Sequence, residues 1–516
     1  MFPDSALLVL AGLIIGIFLK EINVDSSQYF LDSEVFFIYI LPPLAFDAGY
    51  NMPARSFFDN FGVCVAFAFV ITGFNVVAIG FSLWAIGLTG LFSLPVGFLD
   101  LMMFGALISD VDPVAVIGTF EELHVNDLLY ITMFGESVLN DGAAVMIYKM
   151  VESYFEIGSD NIISRDYIFG AISFFAIIFG GVLLGIIFAA FTSFLTKFTD
   201  NVNIVNPIMA FILPFCSYWI AEMIGFSSIL AIVFCGVILK PYIRENINKD
   251  SYKAIHYITK ILAYGAEAVI FVFLGLSTVS TDHYWDTPFV CLTLIFCLIY
   301  RAVATIILAE LFNKFQLKQF SKVDIFIIMF GGMRGAISYG LVISLPDDVP
   351  AKSMYVSATI VQIYFTVFLQ GLVIRPIARF LEVERKHTHT RTMIETCYDN
   401  LIDNSMAGME IIAGKYGHNW LRSKWDLFNS AILHKIFIKK SARKAMDKSN
   451  LLRSADKIMH KEALHFAEHI EKWYDQLDSL LTTAQNNKNI TIATRKLPSL
   501  LNPDGKKNRV KSLIDL

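Results

Sequence analysis

As far as Leu381 the chain is a succession of apolar runs, each close to the length that crosses a lipid bilayer, which excludes most soluble folds. A helical crossing needs about 20 apolar residues. On that measure twelve segments stand out, at roughly 3–20, 35–51, 61–88, 98–120, 126–150, 167–195, 203–223, 226–240, 255–279, 286–311, 323–345 and 354–381. With 55% hydrophobic and 17% charged residues over 516 positions, the chain has too little polar surface for a water-soluble protein of its size. Lipid offers no hydrogen bonds, so each run must satisfy its own backbone, and the fold class is read as an all-α polytopic membrane protein. Beyond Leu381 charged and amide residues become frequent. The expected domains are a transmembrane region 1–381, a cytoplasmic helical region 382–485 and a disordered polar tail 486–516.

Basic loop residues fall on one side: Arg55, Lys197, Lys240/Arg244/Lys249/Lys253, Lys314/Lys318/Lys322 and Arg375/Arg379/Arg385/Lys386. The positive-inside rule makes that side cytoplasmic and puts both termini of this chain there. Six cysteines show no CxxC and no regular spacing, and those in apolar runs, such as Cys64, Cys216, Cys235 and Cys291, are read as buried free thiols.

Against this apolar background two aspartates are conspicuous. Asp112 lies in 107–116 (LISDVDPVAV) and Asp141 closes 135–141 (GESVLND) in the next segment. A carboxylate at bilayer depth costs on the order of 3 kcal/mol, so it persists where it meets a cation, a proton or water. Pro113 follows Asp112 directly; it lacks an amide hydrogen and crowds the carbonyl of Ser109, so the fourth segment should open around 109–112 and present carbonyls near Val111 as ligands. The eleventh segment carries Gly331, Gly332 and Gly335 around Arg334 (330–338, FGGMRGAIS), the second place where a helix opens easily. Seven steps separate the two segments, an odd number, so they cross the membrane in opposite directions. That predicts an inverted-repeat transporter with two crossed broken helices and its site between the repeats. The first interrupted segment is fourth in its half and the second is fifth in a block of six, so the first repeat is expected to lack one helix at its start.

On a helix, residues four apart share a face, which sets Ser137 beneath Asp141 and Glu136 beneath Asn140. Asp141, Ser137, Asp112 and the carbonyls around Val111 form an oxygen set suited to Na⁺, and also to Li⁺, with Asn140 and Asp47 as further candidate ion-binding residues. With Asn140 unable to ionise, a cation and a proton competing for Asp141 carry equal charge, and exchange is expected to be one for one and electrically silent. Arg334 at membrane depth needs a counter-ion, with Glu136 the first choice and Glu267 the second. Glu222, Glu267 and Arg301 are also consistent with side chains that face internal water or snorkel.

The stretches 41–50 (LPPLAFDAGY), 104–120 (FGALISDVDPVAVIGTF), 134–141 (FGESVLND), 267–278 (EAVIFVFLGLST) and 331–338 (GGMRGAIS) together resemble the animal sodium/proton exchanger family of monovalent cation/proton antiporters. The resemblance implies an antiporter fold of two inverted six-helix repeats, a homodimer and an elevator-like movement. It implies exchange of external Na⁺ for internal H⁺ in the service of intracellular pH, with no cofactor. It also implies Asp141 as the ion-carrying carboxylate with Asp112 close by, Glu136 paired to Arg334, and Asp47 marking the plasma-membrane branch rather than the endosomal one. Two departures stand out. The family has one more helix before the segment that begins at Pro3, and Asp110 occupies a position where the family is expected to hold a small residue such as alanine.

In the tail, Trp425, Phe428, Ile432 and Ile436 recur at spacings of three and four, with Leu433 and Phe437 widening the stripe. The corresponding stretch in related exchangers resembles the docking helix for calcineurin B homologous protein, and residues 425–438 are assigned to that partner. Lys439, Lys440, Arg443 and Lys444 follow and suit anionic lipid. Nothing points to nucleic acid. Three other readings share part of this pattern. A potassium/proton antiporter of the same fold differs in cavity size, which sequence does not display. An intramembrane aspartyl protease also uses two aspartates on neighbouring spans, but its GxGD sequence is not matched. An ion channel would need repeated carbonyl loops, which are missing.

Overall fold

The computed structural model describes residues 4–22, 31–112, 120, 125–158, 162–199, 205–279, 283–315, 319–346, 348–383, 393–414, 417–446 and 457–466, with scattered positions from 469 to 479. All secondary-structure elements among these residues are helices, and each of the twelve expected segments contains one. They are α1 (Asp4–Glu21), α2 (33–51), α3 (Phe61–Gly87), α4 (Phe98–Ile108), α5 (Asp127–Ile157), α6 (Ser164–Thr196), α7 (Val205–Ile224), α8 (Ser228–Asn246), α9 (Lys249–Thr278), α10 (Thr287–Asn313), α11 (Lys322–Phe330), α12 (Ala336–Ile343) and α13 (Lys352–Phe380). Among the described residues six of these, α3, α6, α7, α9, α10 and α13, are long and apolar enough to cross a membrane unaided.

Helix starts follow local chemistry. Asn126 caps α5 by accepting from the Leu128 amide, Asp286 caps α10 by accepting from Phe289, and Ser321 with Asp324 forms a reciprocal capping box on α11. Close approaches are made through small residues, as expected where lipid gives no hydrophobic drive between helices. A Cβ on Gly49 of α2 would come within 2.6 Å of the Val233 carbonyl oxygen of α8, and one on Gly181 of α6 within 2.5 Å of the Ser227 carbonyl oxygen.

The helices divide into a centre and a rim. Helix α5 is buried on all sides from Leu128 to Met146, apart from Tyr130, and carries Glu136, Ser137, Asn140 and Asp141 inside. Helix α6 turns Phe169, Phe175, Phe179, Leu183 and Ile187 outward, as a lipid-facing helix does. Within the membrane region three of the described segments wind as π-helix, Phe36–Ile40, Phe67–Ile71 and Phe365–Gln370. The last contains Thr366 and the second is followed by Thr72, both of which reach the centre. Cys64, Cys235 and Cys297 are buried free thiols, whereas Cys291 is exposed, because it sits on the outer side of α10 rather than inside the bundle.

The compact unit that holds these helices runs from Met1 to Ala442, past the expected end of the membrane region, and includes α14 (Met393–Ile412) and the helix 418–437, here α15. The second unit, Arg443–Leu516, contains an exposed helix at 457–466. The expected disordered tail 486–516 lies outside the described residues, as does Pro113.

Candidate functional site

Both expected interruptions are present. Helix α4 ends at Ile108 and the chain runs on without helix through Asp112. Helix α11 ends at Phe330, and residues 331–335 are non-helical before α12 resumes at Ala336. The two openings meet, for the amide of Asp112 donates to the carbonyl of Met333 at 2.8 Å. Gly335 lies against the carboxylate of Asp112, and a Cβ there would overlap it. Thr366 seals the second opening: its hydroxyl accepts from the Arg334 amide at 3.3 Å and lies 3.1 Å from the Arg334 carbonyl.

Each half-helix that stops inside the bundle leaves carbonyls without partners and the negative end of a dipole. An arginine answers each one. Arg334, 2% exposed, donates from Nη1 to the carbonyls of Asp110 at 2.9 Å and Ser109 at 3.4 Å, at the end of α4. Arg301 of α10 donates from Nη2 to the Ile328 carbonyl at 3.2 Å, near the end of α11, and forms a buried ion pair with Glu136. Gly332 makes room for it, since a Cβ there would fall 2.8 Å from Arg301 Nε.

This corrects the expected pairing of Glu136 with Arg334. The partner of Glu136 is Arg301, because α10 packs its central arginine beside α5, whereas Arg334 is directed at the opened backbone of α4. The carbonyls freed around 109–112 are also less available to a cation than expected. The Ser109 oxygen takes Arg334 and Asn140 Nδ2, the latter at 3.3 Å, and the Asp110 oxygen takes Arg334. Val111, next in the chain, is buried. Asn140 is fixed from the other side by the Thr72 hydroxyl, which donates to its Oδ1 at 2.6 Å. Its side chain therefore braces the break.

The acids at the crossing come together. Asp141 and Asp110 lie within hydrogen-bonding reach of one another, and Asp112 is close enough to act electrostatically on both. Asp110 is 0% exposed and Asp141 9%, and each keeps its Oδ1 buried without a hydrogen-bond donor. Ser338, on the first turn of α12, places its hydroxyl 3.4 Å from Asp110 Oδ2. Ser137 is buried on α5 one turn before Asp141. Asp47 belongs to another cluster: it accepts from Asn51 Nδ2 at 2.6 Å and acts on Lys240. Glu267 is buried on α9.

Sequence reasoning missed Arg301 as the partner of Glu136, and missed Thr72, Ser338 and Thr366. Arg301 did carry a signal, for it is the one charge in the middle of an apolar run, the same feature that singled out Asp141. The three hydroxyls carried none beyond being polar in apolar segments.

In the tail, Trp425, Phe428, Ile432 and Ile436 of α15 are exposed along one stripe. The end of this helix is held against the membrane unit. Lys197 Nζ donates to the Ile436 carbonyl at 2.9 Å, Asn246 Nδ2 donates to that of Phe437 at 2.8 Å, and the Phe437 ring meets Tyr242 edge to face. Phe437 is thus engaged within the chain, and Leu433 is half-buried. Lys439 donates its amide to Asn246, and the side chain of Lys444 lies outside the described residues.

Residues 1–380 match the model of a family described as "Sodium/hydrogen exchanger, transmembrane". The chain is 44% identical over 466 residues to the probable Na(+)/H(+) antiporter nhx-9 of Caenorhabditis elegans, covering 90% of this chain and 70% of that protein. It is 40% identical over 449 residues to sodium/hydrogen exchanger 3 of Homo sapiens, covering 86% of this chain and about half, 54%, of that longer protein. Among solved structures it resembles the sodium proton antiporter MjNhaP1 of Methanocaldococcus jannaschii, with a TM-score of 0.58 at 19% identity, covering 74% of this chain and 92% of that one. That likeness concerns the fold.

Proposed function

The chain belongs to the transmembrane sodium/hydrogen exchanger family, and from that premise we propose that it exchanges external Na⁺ for internal H⁺ at Asp141. The observation that carries this reading is the charge inventory of the crossing. Among the described residues, Asp110, Asp112 and Asp141 share the centre with one guanidinium, that of Arg334, which hydrogen-bonds to backbone carbonyls and acts on Asp110 electrostatically, so three carboxyls face one fixed positive charge. Buried charge in excess of its counter-charge does not persist, so the site calls for a cation or a proton as part of its resting composition.

Asp141 is the carrier, with Asp112 and Ser137 beside it and the Val111 carbonyl completing the oxygen set. Arg334, Asn140, Glu136 and the glycines 331, 332 and 335 keep the two openings in place. One monovalent cation replaces one proton, so exchange is electroneutral, with Li⁺ accepted as Na⁺ is. The working unit is a multi-pass homodimer in the plasma membrane, with twelve crossings from this chain arranged as inverted repeats and both of its ends cytoplasmic. A core carrying the crossing moves against a dimerisation region in an elevator-like cycle. Calcineurin B homologous protein covers the exposed stripe of α15, and the basic residues after it lie on anionic lipid. The physiological output is control of intracellular pH.

The test is transport by the purified chain in acid-loaded vesicles. Wild-type protein alkalinises the lumen when Na⁺ is added outside, at a rate unaffected by an imposed membrane potential, and Asp141→Asn abolishes this while eluting as the same folded species. Wild-type exchange retained in Asp141→Asn, or a rate that follows the potential, defeats the assignment of carrier or stoichiometry respectively.

A further inference from the structure

We propose that Asp110 is a direct ligand of the transported cation, so that cargo is gripped between two facing carboxylates, Asp110 from the opened end of α4 and Asp141 from α5. This rests on the reading of Asp141 as the carrier and adds a residue to it.

The geometry at Asp110 is that of a ligand rather than of a structural acid. Arg334 acts on the Asp110 carboxylate electrostatically, yet the hydrogen bond its guanidinium makes goes to the main-chain oxygen of Asp110, at 2.9 Å. The side chain is left with Ser338 Oγ at 3.4 Å on Oδ2, and with Oδ1 buried and without a donor. The facing carboxyl of Asp141 has the same deficit at its own Oδ1. Two buried acceptors held within hydrogen-bonding reach of one another repel unless something positive lies between them. A proton does so, as does a small hard monovalent cation, which takes oxygen ligands at short distance. The two occupants carry the same charge, so the clamp keeps the exchange one for one. Asp110 Oδ2 also lies over the first turn of α12, where the helix dipole and the Ser338 hydroxyl steady it. A clamp fixed from both sides is narrow, and it should favour Na⁺ and Li⁺ over K⁺.

The experiment measures equilibrium ²²Na⁺ binding by purified full-length protein, together with the Na⁺ dependence of exchange in vesicles, for wild type, Asp110→Ala and the near-isosteric Asp110→Asn. The clamp predicts at least a tenfold rise in the Na⁺ concentration for half-maximal binding and exchange in Asp110→Ala. Asp110→Asn should give a smaller rise, because its amide oxygen still offers the cation a neutral ligand. Competition by K⁺ should strengthen relative to Na⁺ in Asp110→Ala. Unchanged Na⁺ half-saturation in both variants overturns the proposal, as does loss of folded protein in both, which would make Asp110 a structural residue. Failure of the underlying reading looks different, since the wild type would not exchange or Asp141→Asn would remain active.

Discussion

Two charged clusters hang on the same buried helix, about one and a half turns apart, and they are built to opposite ends. Around Glu136 the charges cancel: one carboxylate meets one guanidinium, Arg301, which also caps the end of α11. Around Asp141 they do not, because three acids gather at the crossing against one arginine, whose hydrogen bonds go to backbone carbonyls. Both clusters satisfy a broken helix. On the proposed reading the balanced one has nothing left over to bind with and is scaffold, whereas the unbalanced one requires an occupant, and an occupant that can be traded is cargo.

The comparison is broken most severely at the balanced pair. Removing one partner of a buried ion pair leaves an uncompensated charge and costs about 3–5 kcal/mol, while removing both costs much less. Arg301→Gln and Glu136→Gln are each expected to lose folded protein, measured as a fall in melting temperature and recovery. The double variant should recover much of the loss. Equal damage in single and double variants would mean that the pair does not act as a unit.

Gly335→Ala comes next. A methyl group there overlaps the Asp112 carboxylate, so transport should fall at least tenfold in vesicles with a modest loss of stability. An active Gly335→Ala would show that the two openings do not need to touch. The smallest effect belongs to the tail. Replacing Phe428 and Ile432 by polar residues should abolish co-purification with calcineurin B homologous protein and leave the melting temperature of the membrane unit within a degree or two, since both side chains are exposed in the isolated chain. Unchanged recovery of the partner would remove α15 as its docking helix.

Much of this organisation was legible in the residues. Apolar length alone marked the twelve segments, and the glycines at 331, 332 and 335, with the proline after Asp112, marked both breaks, because helix opening is a local property of the backbone. What was not legible depends on packing. Periodicity puts Glu136 and Asn140 on one face of α5, but the neighbour that fills that face is set by how α10 and α3 lean against it. Arg301 and Thr72 therefore took the partners that chain order suggested for Arg334 and for a cation. The same limit applies to the carbonyls of Ser109 and Asp110. Their release from α4 could be foreseen, whereas their capture by Arg334 needed the second broken helix in place.

Sodium-dependent stabilisation of the purified protein compares the two clusters most directly. The melting temperature is followed as Na⁺ replaces an impermeant organic cation at constant ionic strength. Wild-type protein and the Glu136→Gln/Arg301→Gln double variant should both gain stability as Na⁺ rises, and Asp141→Asn should gain none. A Na⁺-induced rise that survives in Asp141→Asn, or disappears with the Glu136–Arg301 pair, would place the cargo at the wrong cluster and contradict the account.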